Sequence, residues 1–114
     1  FQLQEKLAYK ELMATRLYFN LGTYMGNNYQ SSVITAQNAL KDYPYSKYRE
    51  EFMFLIIRAK YELALVSVEE KLQGRYRDVV DEYYTYVNEY PEGQFLKQVT
   101  KYFEYANKRI TDVY

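Results

Sequence analysis

The sequence predicts an all-α fold of about five antiparallel helices, and three observations carry that prediction. Apolar residues recur every three to four positions along almost all of the 114 residues, the spacing that lays one helix face against a core. Glycine and proline number only 4 and 2, and no stretch alternates like a strand over a useful length. Two segments also repeat at an offset of 47 residues: Tyr29 falls on Tyr76, Val33 on Val80, Tyr43-Pro44 on Tyr90-Pro91 and Ala59 on Ala106. Repeats of this period mark stacked helical hairpins, each exposing an apolar face that only its neighbour covers.

The elements follow in order. Leu3, Leu7, Met13, Ala14, Leu17, Tyr18 and Leu21 form the stripe of a first helix that ends between Gly22 and Gly26. Gly26-Asn27-Asn28 is a turn, since Gly and Asn tolerate positive φ, and Asn28 is placed to cap the next helix. That second helix runs from about Tyr29 to Asp42, with Val33, Ala36, Ala39 and Leu40 on one face. Pro44 stops it, because proline disfavours helical geometry at Tyr43 and has no N–H to donate. Ser46 is the expected N-cap of the third helix, whose stripe is Tyr48, Phe52, Leu55, Ile56, Ala59, Leu63 and Val66. No glycine or proline occurs between Pro44 and Gly74, so this helix is expected to continue to about Leu72. Ser67-Val68-Glu69-Glu70, which matches a capping box, marks the alternative break. A fourth helix takes Tyr76, Val79, Val80, Tyr83, Val87 and Tyr90, and stops at Pro91-Glu92-Gly93. A fifth takes Phe95, Val99, Tyr102, Phe103, Ala106 and Ile110. The hairpins therefore span about 3–43 and 46–90, with a terminal helix over 94–112, in a single domain.

Composition narrows function. With 15 basic and 15 acidic side chains the net charge is zero, which argues against nucleic acid as a partner. Cysteine and histidine are both absent, so thiol chemistry, the usual general base and the commonest metal ligand are missing. Ser31, Ser32, Ser46 and Ser67 read as helix starts, and no glycine-rich phosphate loop exists. Asp78, Asp81 and Glu82 lack the converging oxygens of a hard-metal site. No enzyme, metal or cofactor is expected. The apolar run Phe52–Ile57 ends at Arg58, far short of the ~20 residues that cross a bilayer. The chain opens at Phe1 inside a helical pattern, and is expected to be a piece of a longer protein.

The repeated unit resembles the second helix of a tetratricopeptide repeat (TPR). Aromatic, small or apolar positions and proline stand at Tyr29, Ser32, Ala36, Ala39 and Pro44 in one copy. They stand at Tyr76, Val79, Tyr83, Tyr86 and Pro91 in the other. Tyr86 takes a position usually held by alanine, and 47 residues exceeds the usual period of about 34. The excess is assigned to the third helix. The implied architecture is a TPR-like right-handed helical solenoid.

Longer words narrow the resemblance. Ala39-Leu40-Lys41-Asp42-Tyr43-Pro44, Lys47-Tyr48-Arg49-Glu50-Glu51, Ser67-Val68-Glu69, and Tyr76 through Tyr83-Tyr84 to Pro91-Glu92-Gly93 are similar to C-terminal repeats of the BamD family. That family resemblance implies part of a lipoprotein scaffold on the periplasmic face of the outer membrane. It implies support for insertion of β-barrel outer membrane proteins by docking to a BamA-like POTRA domain, with other subunits of the assembly machine as further partners. Unfolded outer membrane proteins would be recognised by N-terminal repeats outside this sequence.

Four residues are candidate partner contacts. Arg58 and Glu62, four apart, give the third helix a charged stripe that either faces a partner or forms a plain i,i+4 pair. Tyr84 and Tyr86 point away from their helix's stripe, which leaves them for a partner or for further repeats. Tyr29, Tyr43, Tyr76, Tyr83 and Tyr90 read as packing. The rival function is a TPR adaptor or co-chaperone capturing peptide tails, for which Arg16, Asn20 and Arg58 are a thin set of ligands. Two and a half hairpins would leave apolar ends, so self-association is also expected.

Overall fold

The computed structural model describes residues 1–111, and among them every regular element is an α-helix. α1 spans Gln2–Leu21, α2 Asn28–Asp42, α3 Arg49–Leu65, α4 Glu69–Glu89 and α5 Leu96–Arg109. The last position expected for the fifth helix, 112, lies outside the described residues. No described helix is long and apolar enough to cross a membrane.

Cross-helix contacts fix the directions. Thr15 and Phe19 of α1 meet Ser32 and Tyr29 of α2, an antiparallel order. Arg49 and Lys60 of α3 meet Glu89 and Glu82 of α4, again antiparallel. Phe54 and Tyr61 of α3 meet Phe95, at the start of α5, and Tyr102, in parallel order. Each helix packs on the next, and α3 also touches α1 and α5. The result is a slab of 46 × 36 × 21 Å, whose thinnest dimension is about two helix diameters. The odd-numbered helices touch side by side through α3, while α2 and α4 do not touch each other.

α3 lies at the centre. Phe52 to Ile57 are all buried, because neighbours cover this helix on several sides and its sequence has no polar face there. Small residues let α1 and α2 approach: Ser32 Oγ donates to the Thr15 carbonyl at 2.9 Å, and both side chains are fully buried.

Three local expectations are corrected. α3 ends at Leu65 and α4 begins at Glu69, so the chain breaks near Ser67 and does not run on to Leu72. The Ser67 hydroxyl donates back to the Leu63 carbonyl and accepts from Arg75, while β-branched Val66 and Val68 flank it; both features weaken a helix without glycine or proline. Gly74 therefore sits inside α4, and part of the extra length assigned to the third helix lies instead at the start of α4, which has 21 residues against 15 in α2. Asn27, not Asn28, caps α2 by accepting from Gln30 N at 3.1 Å. Ser46 accepts from Tyr48 N at 3.1 Å within the turn, and α3 starts at Arg49, later than a Ser46 cap would place it.

The 47-residue repeat is structural. Tyr43 N bonds to the Ala39 carbonyl at 2.8 Å, and Tyr90 N to the Tyr86 carbonyl at 2.7 Å. The two tyrosines have nearly the same backbone angles, φ −130°, ψ 61° and φ −128°, ψ 69°. The next turns match bond for bond, with Ser46 N to the Tyr43 carbonyl and Gly93 N to the Tyr90 carbonyl, both 3.1 Å. Proline after each tyrosine forbids another helical turn, so both copies end alike.

Candidate functional site

Because the odd helices run in parallel, partly exposed residues of α1, α3 and α5 line up side by side around the buried ring of Phe54. Residues three or four apart share a helix side. α1 contributes Arg16, Phe19 and Asn20, α3 contributes Glu51, Phe54, Arg58 and Tyr61, and α5 contributes Tyr102, Tyr105 and Arg109, joined by Phe95 just before it. The face is a ribbon of rings interleaved with guanidinium groups. Phe54 stacks on Phe95 with centroids 4.2 Å apart, Tyr61 packs on Tyr102 at 4.5 Å, and Tyr105 meets Tyr61 edge-on at 5.4 Å. The Arg58 guanidinium lies 4.2 Å over Phe19, and that of Arg109 3.3 Å over Tyr105.

A groove of about 240 Å³ opens between α1 and α3, lined by Arg16, Phe19, Asn20, Glu51, Phe54, Leu55 and Arg58. Its charges do not cancel. Arg16 Nε donates to Glu51 Oε2 at 2.7 Å, which neutralises that pair. Among the described residues no carboxylate forms an ion pair with Arg58, so its charge is left for an incoming group. Burial, then its neighbours Tyr105 and Glu62, push the Tyr61 hydroxyl above its usual titration range, so it stays protonated at neutral pH. Rigid rings, a protonated phenol and a cation over an aromatic face are the chemistry of protein interfaces.

The four sequence-derived candidates separate. Arg58 lies in the groove, and Glu62 follows it by one turn on α3 without an ion pair to it, so the plain i,i+4 pair does not form. Tyr84 is exposed on α4 and packs edge-on against Phe103 at 5.5 Å, apart from the groove. Tyr86 is corrected: it is fully buried, its hydroxyl donates to Glu50 at 2.6 Å and accepts from Phe95 N at 3.2 Å. The stripe of α4 is wider than its spacing suggested, because α3 and the turn before α5 both lean on that side. Sequence reasoning missed Phe54, Tyr61, Tyr105 and Arg109 as parts of one face. The 47-residue offset carried only part of that signal: it pairs Arg58 with Tyr105, but it pairs Phe54 with Lys101 and Tyr61 with Lys108.

Among the described residues no group of three or more His, Cys, Asp or Glu is placed to hold a metal ion. Glu82 is instead paired with Lys60 at 2.9 Å. No protein-family model matches the chain, and no curated protein matches it in sequence.

Proposed function

We propose that the chain is a non-catalytic scaffold: a TPR-like right-handed solenoid segment of a BamD-like lipoprotein, acting at the periplasmic face of the outer membrane. In this reading it supports insertion of β-barrel proteins by docking a BamA-like POTRA domain on the odd-helix face. The ribbon of aromatic rings and arginines across α1, α3 and α5 carries the reading. Parallel helices hold that ribbon in place before a partner arrives, so little ordering entropy opposes docking. At zero net charge long-range steering is weak, and affinity would rest on buried anchors such as Arg58.

The peptide-adaptor alternative is less well supported, because Glu51 occupies Arg16 and leaves Arg58 and Asn20 to meet a peptide carboxylate. Calorimetric titration of the chain with a BamA POTRA array and, separately, with peptides ending in a free carboxylate separates the two. Saturable heat with the array alone is the expected result. Peptide binding without array binding overturns the scaffold reading.

A further inference from the structure

α5 is held differently from α3. It packs on α4 and α3 alone, and of its residues only the small Val99 and Ala106 are fully buried, whereas α3 buries every residue from Phe52 to Ile57. Among the described residues no ion pair joins α5 to another helix.

Side chains of α3 and α4 clasp the α5 segment at both ends instead. At its start, Gln94 N donates to Glu50 Oε2 at 2.8 Å and Phe95 N donates to the Tyr86 hydroxyl at 3.2 Å. At its end a single amide makes both bonds: Gln73 Nε2 donates to the Arg109 carbonyl, and Thr111 N donates to Gln73 Oε1, each at 2.8 Å. Ile110 between them is extended, at φ −79° and ψ 115°, so Gln73 pairs with this stretch as a neighbouring strand would. Between the clasps the Tyr83 hydroxyl and Thr100 Oγ1 lie 3.3 Å apart, and ring packing supplies the rest.

In a stacked helical array each unit is stabilised by its neighbours alone, so a segment with few neighbours opens without the rest. α4 closes at Tyr90, whose N–H bonds to the Tyr86 carbonyl, and Pro91-Glu92-Gly93 then leads out of the helix as a hinge. Movement there carries Phe95, Tyr102, Tyr105 and Arg109 away from Phe54 and Tyr61, which dismantles the aromatic ribbon.

We propose that α5 is a strap that opens as a unit about the Pro91–Gly93 turn, with Gln73 as its latch, and that its closure completes the docking face. The link to docking rests on the scaffold reading; the opening does not. A partner on the ribbon binds only the shut form, so docking and latching favour one another.

Native-state hydrogen exchange of the 114-residue chain in low urea is the test. Amides from Val99 to Ala106 should share one opening event, with a weaker urea dependence than those from Phe52 to Ala59 and at least tenfold faster exchange. Gln73→Ala weakens the shut form by two hydrogen bonds, and should speed exchange about tenfold in α5 and equally in α3, since both open from that form. Val33→Ala acts on α2, which α5 does not touch, so it should speed exchange in α3 and leave α5 as it was. Equal acceleration of both by Val33→Ala means that α5 opens only with the whole chain, and overturns the strap; unchanged α5 exchange in Gln73→Ala overturns the latch. A saturating POTRA array should slow α5 exchange about tenfold or more. An array that binds without slowing it overturns the part of α5 in docking. An array that does not bind overturns the scaffold reading, whereas the opening itself is decided by Val33→Ala.

Discussion

Tyr86 fills the space that Gly93 leaves by having no side chain: a Cβ on Gly93 would fall on the Tyr86 hydroxyl and 2.6 Å from Glu50 Oε2. The first copy solves the same joint in reverse, with Ala39 and Ser46 at the equivalent positions. There the Ser46 hydroxyl accepts from Tyr48 N, and here the Tyr86 hydroxyl accepts from Phe95 N. One hydroxyl serves each turn, supplied from opposite sides. Gly93→Ala should therefore destabilise by about 1–3 kcal/mol through overpacking. Tyr86→Ala should cost about 3 kcal/mol or more through the cavity it opens. Adding Gly93→Ser to Tyr86→Ala rebuilds the first copy's arrangement, so the double variant should be more stable than Tyr86→Ala alone. Urea midpoints check this, and additive losses would refute the exchange.

Burial, then the bond to Glu50, raises the Tyr86 phenol far above its ordinary value near 10. A raised folded-state value means its stabilising contribution is complete below pH ~10 and is lost as pH climbs from there. Tyr61 and Tyr90 are raised as well, chiefly by burial. Stability should be flat from pH 8 to about 9.5 and fall above that. Tyr86→Phe should cost about 1–2 kcal/mol at neutral pH, since Phe95 N loses its acceptor, and should fall less steeply in alkali. Urea titrations at stepped pH read both effects.

The acid side rests on α3 and α4. Arg49 reaches Glu89 with two nitrogens, and this bond holds the Glu89 carboxyl below its usual range. A lowered folded-state value means the contribution is present above pH ~4.5 and disappears as pH falls through the lowered value. Both side chains are about one-third exposed, so Glu89→Gln should cost no more than about 1 kcal/mol at pH 7. Most of that difference should vanish in high salt or once the pH falls below the lowered value. Thermal melts of the two proteins across pH measure it.

Arg58 separates docking from folding. Arg58→Ala loses the contact with Phe19, about 0.5–1 kcal/mol of stability, yet should weaken POTRA affinity about tenfold or more. Arg58→Lys keeps the charge but not the planar stack, and should rescue little. Equal affinity in all three proteins would remove Arg58 from the interface.

Much of the helical order was legible because apolar periodicity and the two Tyr-Pro stops act locally. The break at Ser67 was not, because a serine bonding back to Leu63 ends a helix without glycine or proline. The burial of Tyr86 was not, because it depends on a glycine seven residues away and a glutamate from another helix. Of the proposed docking face, Arg58 was legible as half of a charged stripe with Glu62, and Arg16 and Asn20 as scattered polar positions. The aromatic surroundings of Arg58 come from three helices whose alignment only the packing supplies.

The docking claim is tested most directly by amide chemical shifts of the isotope-labelled chain during titration with a BamA POTRA array. Perturbation should concentrate at Asn20, Arg58, Tyr61, Tyr102 and Tyr105, leaving Ile34, Gln37 and Asp81 of the even helices unchanged. Shifts centred on α2 and α4, or none at saturating array, would contradict it.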